Sequence, residues 1–317
     1  MSDKPGYKAK TIKSIIHRKI EAWLKTIEDK SVRELLTQNV IVTGGSIASM
    51  LLGEDANDFD VYFRTYTAAL AAAHYYLNIF KSRKVNGIET PMIVDTRTPG
   101  RIKIVVKSAG IASENGTDKP YQYFESQPDV EAAAYVGEVI DNPEQIADVY
   151  EETEEKALKT SDKKYRPVFV TTNAITLSDK VQLIIRFYGE PDQIHENYDF
   201  VHCTNYWTSW DNNLVLRPKA LEALLARELV YVGSKYPLCS IVRLRKFIQR
   251  GWRVNAGQIL KIAMQVSELD LKDFRVLEDQ LTGVDTAYFL QLIERLKEKD
   301  PEKVDAAYLV EIVDRIF

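Results

Sequence analysis

The chain has 317 residues, 45% hydrophobic and 28% charged, with a formal net charge of −4 at pH 7. This composition is typical of a globular protein long enough for two domains. The acidic balance excludes a generally basic coat for nucleic acid, so any polyanion would need a local basic patch. The sequence has no apolar run long enough to span a bilayer, and no membrane partner is expected.

The two cysteines, Cys203 and Cys239, are too few for a disulfide framework. The first residues lack the apolar core of a secretion signal. Together these features predict a cytoplasmic protein in a reducing compartment, without a disulfide partner.

Two helices are predicted within residues 1–38. Apolar residues recur at helical spacing from Lys10 to Ile27, which favours a helix packed on the core, with membrane or partner binding as the alternative. Ser31 to Glu34 has the form of a capping box that opens a second helix.

The most informative stretch is Asn39 to Arg64. Val40 to Val42 predict a buried strand, and a glycine-rich turn follows, formed by Gly44, Gly45 and Ser46. A short helix from Ile47 to Leu52 comes next, ended by Gly53. The two glycines let the backbone approach a ligand, and the N–H groups at the helix start, with the Ser46 hydroxyl, suit a phosphate.

Two carboxylates follow on the next predicted strand. Asp58 and Asp60 share one face, because side chains alternate along a strand, while Phe59 and Val61 pack behind. Neighbouring carboxylates repel each other, and a divalent cation such as Mg²⁺ removes that repulsion. The alternative is an ordinary turn followed by an exposed acidic strand.

A Gly-Gly-Ser turn followed eleven residues later by Asp-x-Asp resembles the signature of the DNA polymerase β-like nucleotidyltransferase superfamily, which includes poly(A) polymerases and CCA-adding enzymes. The resemblance implies an α+β fold: a small mixed-sheet nucleotidyltransferase core, N-terminal helices and a C-terminal all-helical domain. It also implies two Mg²⁺ ions at the carboxylates and an NTP held by Gly44, Gly45 and Ser46.

The middle of the chain completes the predicted nucleotidyltransferase domain, residues 39–212. A helix is expected from Thr67 to Lys84, and a polar acidic insertion, residues 108–166, is expected to contain a helix from Glu144 to Leu158. Strands are predicted at Met92 to Asp95, Ile102 to Lys107, Val168 to Leu177 and Val181 to Tyr188.

Asp199 is the candidate third metal ligand. The superfamily has a carboxylate on a strand beside the Asp-x-Asp strand, and Asp199 lies in a predicted strand from Tyr198 to His202. The alternative is that Asp199 caps a turn. Lys180 and Arg186 are near enough in sequence to contact a triphosphate, although surface solubility accounts for them equally well.

From Asn213 onward we expect helices and no strands, in a second domain covering residues 213–317. Its helix from Ile241 to Arg250, with the Gly-Trp that follows, resembles the neck helix of poly(A) polymerases and CCA-adding enzymes. Arg243, Lys246 and Arg250 form one basic stripe, a candidate for contact with RNA phosphates or a triphosphate, unless they are a solvated face. The other predicted helices are Leu216 to Val230, Ala256 to Leu269, Leu271 to Leu281, Asp285 to Lys297 and Val304 to Ile316.

The sequence therefore predicts a metal-dependent nucleotidyltransferase with Asp58, Asp60 and Asp199 as catalytic metal ligands. It would transfer a nucleoside monophosphate from an NTP to a hydroxyl, and the favoured acceptor is an RNA 3′ end, with tRNA among the candidates. Two alternatives stay open: nucleotide transfer to a protein or small molecule, and a non-catalytic binding or structural protein on the same fold.

Overall fold

A computed structural model describes residues 5–56, 58–82, 92–106, 164–170 and 173–271, together with Asp273, Val276 and Gln280. The predicted helix within the acidic insertion, residues 144–158, lies outside the described residues. So do nearly all of the predicted helix 271–281 and the two predicted helices from residue 285 onward.

The described chain is a mixed α+β protein, as predicted. Its helices are α1 (Ala9–Lys25), α2 (Lys30–Thr37), α3 (Gly45–Leu51), α4 (Tyr66–Ser82), α5 (Pro191–His195), α6 (Pro218–Ala226), α7 (Pro237–Gln249) and α8 (Ala256–Ser267). Its strands are β1 (Val40–Thr43), β2 (Phe59–Phe63), β3 (Met92–Asp95), β4 (Lys103–Val106), β5 (Pro167–Val170), β6 (Ala174–Leu177), β7 (Val181–Tyr188), β8 (Tyr206–Thr208) and β9 (Asn213–Val215).

Seven of the described strands form one mixed sheet in the order β5-β6-β7-β2-β1-β8-β9. Strand β2 lies at its centre, parallel to β7 and antiparallel to β1. The register pairs Asp60 with Thr43 of β1 and Gln182 of β7. Residues opposite one another in a sheet share a face, so these three side chains form one row across the middle of the sheet.

One face of this sheet carries the main core. Phe59 and Val61 are buried there, as their alternation with the two aspartates predicts. Helix α1 packs on the same core through Ile12, Ile16 and Trp23. Four buried alanines allow α4 to pack closely on the same core: Ala68, Ala69, Ala72 and Ala73.

Three local predictions were wrong. Helix α2 begins at an Asp29 cap, whose carboxylate accepts the Ser31 and Val32 N–H groups, and not at a Ser31 capping box. Residues 198–202 do not form a strand: Phe200 makes a single bridge to Tyr231, and Val201–Cys203 is a turn of 3₁₀-helix. Strand β9 continues the sheet past residue 213, where no strand was expected.

The helices after β9 adjoin the sheet through a second apolar cluster. Phe200, Tyr231 and Trp252 are buried in it, with Leu229 and Ile262. Helix α8 begins at an Asn255 cap, whose side chain accepts the Gln258 N–H. None of the helices in the described ranges has the length and apolar character needed to cross a bilayer.

Candidate functional site

The Gly44–Ser46 turn lies directly against the Asp60 carboxylate. Gly44 has a φ of 97°, and a Cβ added to it would lie 2.7 Å from Asp60 Oδ2. A side chain is therefore excluded both by backbone conformation and by space. Gly45 is exposed, and a Cβ there would meet nothing within 4 Å. The turn brings backbone, and only backbone, against the carboxylate.

Two polar groups of this turn have different environments. The Gly44 N–H donates to the Cys203 carbonyl at 3.1 Å, so it is not one of the groups available to a phosphate. The Ser46 side chain is 3% exposed, and its Oγ has no hydrogen-bond partner among the described residues. A buried hydroxyl without a partner calls for an explanation, such as a bound ligand or water.

The two aspartates of the motif differ in environment. Asp58 is exposed just before β2, whereas Asp60 is half-buried within the strand. Burial raises the pKa of Asp60 well above its ordinary value, the neighbouring Asp58 carboxylate raises it further, and Arg243 lowers it. A carboxylate that is both desolvated and close to a second carboxylate is a site where a cation binds favourably. Oxygen donors of this kind fit Mg²⁺.

Asp199 reaches the same neighbourhood from a loop and not from a strand. Its side chain is buried, Oδ1 accepts the Phe200 N–H at 3.0 Å, and Oδ2 accepts the Arg243 Nη1 hydrogen at 2.6 Å. Within the described residues, no three His, Cys, Asp or Glu side chains are grouped so as to hold one metal ion. The structure thus pairs Asp199 with an arginine and does not assemble the predicted trio as a ready site.

The two cations expected to contact a triphosphate lie just before β7 and within it. Lys180 lies in the β6–β7 turn with a φ of 60°, and its carbonyl accepts the Phe59 N–H at 2.8 Å. Arg186 is buried, and its Nε donates to the Tyr236 hydroxyl at 3.1 Å. Arg186 therefore links β7 to the start of α7, and Lys180 fixes the entry into β2.

Some residues of the predicted basic stripe on α7 contact the sheet domain. Arg243 pairs with Asp199, and Arg250 donates to Glu54 at 2.9 Å, while Lys246 is exposed. Glu54 also accepts from Arg227 at 3.1 Å. Two of the three stripe residues thus attach α7 to carboxylates of the protein itself.

Sequence reasoning missed an aromatic and hydroxyl cluster on the Asp60 face. Tyr198 lies over this face, with its ring centroid 6.0 Å from that of Tyr62 and its hydroxyl 3.5 Å from a Cβ placed on Gly44. The position of Tyr62, two residues after Asp60 on the same strand, could have indicated its face. Nothing local indicates Tyr198, because it reaches the site from α5 and the loop that follows.

His195 is a second missed residue. Its Nε2 lies 2.8 Å from the Thr43 hydroxyl, which itself donates to the Asn205 carbonyl at 2.9 Å. Burial, and secondarily Arg217, lower the pKa of His195 to about 4, so the ring is neutral near pH 7.

An open cavity of about 620 Å³ is lined in part by Tyr198. His195 and Tyr198 form part of its wall, with Arg217 and Lys219 at the start of α6 and the acidic side chains of Asp192 and Glu196. This wall is mixed in charge and by itself selects no ligand class.

The fold and site together define a mixed α+β protein in which a glycine turn is set against an aspartate pair at the sheet centre. A family model described as "Gabija anti-defense 2 family protein" matches residues 14–227, more than half of the chain. The chain therefore belongs to the Gabija anti-defense 2 family. The matched range contains the turn, both aspartates and Asp199, but not α7.

A curated relative and two solved structures are also similar to this chain. The "Gabija anti-defense 2" protein of Bacillus phage SPbetaL7 is 21% identical over 123 residues, which are 38% of this chain and 31% of that protein. A Thermotoga maritima CCA-adding enzyme complexed with tRNA is 13% identical, with a TM-score of 0.38. A CCA-adding enzyme with CTP is 13% identical, with a TM-score of 0.37. Each match covers 94% of this chain and 53% of the solved chain, so this chain spans about half their length.

Proposed function

We propose that this protein counteracts the Gabija defence by transferring a nucleoside monophosphate from an NTP to a hydroxyl group, with release of pyrophosphate. The observation that carries the proposal is the contact between Gly44 and Asp60. It brings the backbone of the glycine turn directly against one carboxylate of the aspartate pair, and the Ser46 hydroxyl nearby is buried with no hydrogen-bond partner among the described residues.

The residues present fit a divalent cation. Asp58 and Asp60 supply oxygen donors. Burial is the main cause of the raised pKa of Asp60, which means that the ionised carboxylate is disfavoured there, and a bound cation would offset this effect. When bound, such an ion neutralises the triphosphate and lowers the pKa of the attacking hydroxyl. Asp58 and Asp60 would hold it.

The chain's own groups would bind and orient the nucleotide. The N–H groups at the start of α3, with the Ser46 hydroxyl, would donate to phosphate oxygens. Lys180, just before β7, and Arg186, within it, would help to balance the triphosphate charge. Gly44 would keep the backbone close enough for these contacts.

The acceptor we favour is a hydroxyl on a component of the Gabija system. The family description supports this target. The basic stripe on α7, which favoured an RNA 3′ end in the sequence, has two of its three members paired with Asp199 and Glu54. RNA stays in the experiment as the competing acceptor.

The test is an incorporation assay. The protein is incubated with each α-³²P-labelled NTP and Mg²⁺, in one arm with purified Gabija proteins and in another with total bacterial RNA. We expect label on a Gabija component, its loss with Asp60→Asn, and no change with Glu222→Gln, an exposed carboxylate on α6. Label on RNA alone would show that RNA, and not a Gabija component, is the acceptor. No label with any NTP in either arm would contradict the proposal of nucleotidyl transfer.

A specific observation favours a second candidate, a protein that binds its target without transferring a nucleotide. The Asp199 carboxylate has both oxygens engaged, by Phe200 and Arg243, where the sequence predicts a metal ligand. Protection of phage by Asp60→Asn as strong as that by the wild-type protein would favour this non-catalytic role.

A further inference from the structure

Arg243 occupies an unusual position for a residue on a surface helix. It projects from α7 to the acidic side of the site, where it forms a 2.6 Å ion pair with Asp199. Burial alone would lower the pKa of its guanidinium, but the Asp199 carboxylate reverses this and raises the pKa. The arginine is therefore a fixed positive charge at every accessible pH.

The charge of Arg243 also acts on the metal-ligand side of the site. Its guanidinium is close enough to Asp60 to interact with it electrostatically. Tyr62 and Cys203 lie within the same range of Arg243 and of Asp60. One guanidinium thus interacts with two carboxylates: with Asp199 by a direct bond and with Asp60 through space.

Both oxygens of the Asp199 carboxylate accept hydrogen bonds in this arrangement. One oxygen accepts a backbone N–H and the other accepts the guanidinium hydrogen. A cation shared between Asp60 and Asp199 would have to lie beside Arg243, and like charges at such a distance repel. Removing the guanidinium would free one Asp199 oxygen and remove that repulsion.

We propose that the site takes one divalent cation, at Asp58 and Asp60, and that Arg243 supplies the second positive charge, with Asp199 as its positioning residue. This inference rests on the proposed function, since it concerns the cation of that site. It replaces the expectation of two Mg²⁺ ions and a three-carboxylate set. The bond to Asp199 uses Nη1, one of several donors on a guanidinium, which is the group proteins use for planar phosphate recognition.

The proposal predicts how many ions the protein binds, which can be measured without any activity. Wild-type protein is titrated with Mn²⁺ alone, and free Mn²⁺ is followed by electron paramagnetic resonance. We expect one Mn²⁺ per chain for the wild type and two for Arg243→Gln, in which Asp199 is released to bind metal. Asp199→Asn and the control Arg245→Gln, an exposed neighbour on α7, should each bind one.

A double variant serves as the control for unfolding caused by an unpaired Asp199. Arg243→Gln combined with Asp199→Asn leaves no buried unpaired charge and should bind one ion. Arg243→Lys keeps the charge and should also bind one. Two ions in the wild type, or one in folded Arg243→Gln, would overturn the proposal while leaving nucleotidyl transfer intact. No Mn²⁺ bound by the wild type would overturn both.

Discussion

At the scale of single residues, the approach of Gly44 to Asp60 is the most constrained contact of the site. Replacing Gly44 by alanine forces a Cβ into the left-handed backbone region and to within 2.7 Å of a carboxylate oxygen. We expect Gly44→Ala to lower the free energy of unfolding by roughly 1–3 kcal/mol. Urea denaturation followed by circular dichroism measures this.

Gly45→Ala is the matched control, because this position has open space and ordinary helical geometry. We expect a change within about 0.5 kcal/mol of wild type or slightly stabilising. Equal losses for the two alanine variants would show that the close contact at Gly44 is not a structural constraint.

For Asp60 we predict the opposite effect, a gain in stability when the residue is replaced. Because its pKa is raised in the folded state, the folded protein binds protons more readily than the unfolded chain, and ionised Asp60 costs stability at neutral pH. We expect Asp60→Asn to raise the melting temperature at pH 7 in EDTA. The gain shrinks as the pH falls toward the ordinary aspartate pKa of 3.8, because Asp60 is then protonated in the folded and the unfolded state alike.

Added Mg²⁺ should separate the two proteins further. It should raise the melting temperature of the wild type, since the folded state binds the ion, and leave Asp60→Asn unchanged. A variant that melts lower than wild type in EDTA would contradict the assignment of Asp60 as a destabilising, ligand-ready carboxylate.

At the scale of elements, local patterns predicted the site better than its surroundings. The strand–turn–helix–strand unit from β1 to β2 follows from short-range features: an apolar run, two glycines, and alternation around Phe59. The segment after Tyr198 has the same alternation, yet it curls into a 3₁₀ turn. There the Asp199 side chain binds the next backbone N–H, and Thr204 Oγ1 donates to the Val201 carbonyl at 2.7 Å.

The partners of Asp199 and Arg186 could not be predicted, because each contact joins residues far apart in sequence. Arg243 and Tyr236 lie on or beside α7, whose basic stripe is, from the sequence, a candidate for contact with RNA phosphates or a triphosphate, or else a solvated face. Only the packing of α7 on the sheet domain turns Arg243 and Arg250 toward protein carboxylates. Periodicity gives the face on which such residues lie, but not what covers that face.

The 3₁₀ turn carries a buried histidine. His202 is 1% exposed, its ring lies 4.2 Å from Trp252 and 4.7 Å from Phe247, and neither ring nitrogen has a hydrogen-bond partner among the described residues. Burial lowers its pKa from 6.5 to about 4, partly opposed by Asp199 and assisted by Arg250. The neutral ring therefore joins the turn to α7 and its following loop.

This histidine predicts a loss of stability in mild acid. With a folded pKa below the unfolded one, the unfolded chain binds the proton first, so stability falls as the pH drops below 6.5 and levels off below about 4. Between pH 7 and 5 the loss from His202 is about 2 kcal/mol. His202→Leu should remove that part of the pH dependence in urea unfolding curves. An unchanged slope in the variant would contradict the prediction.

At the scale of the whole molecule, the family match ends at residue 227, but the packing does not. The Val201 N–H donates to the Val230 carbonyl at 3.0 Å, and the Leu229 N–H donates to the Arg253 carbonyl at 2.8 Å. Phe200 is fully buried in a cluster that includes Trp252 and Ile262. The residues after 227 therefore complete the loop that presents Asp199.

We expect a chain that ends at residue 227 to be unstable. Truncation exposes the Phe200 cluster and removes Arg243, which leaves Asp199 without its partner, and breaking a buried ion pair costs about 3–5 kcal/mol. Thermal melting and gel filtration against the full chain measure the effect. A cooperative melt at the full-length temperature would show that the matched region folds independently.

The parallel pairing of β2 with β7 has a consequence for how this family can diversify. The two strands are hydrogen-bonded neighbours, yet Phe63 and Val181 are separated by more than a hundred positions along the polypeptide. Insertions or deletions in the connections between the intervening helices and strands leave the central pair in register around Asp60. Relatives of very different size can thus keep an identical centre, and length differences between them are no measure of change in their chemistry.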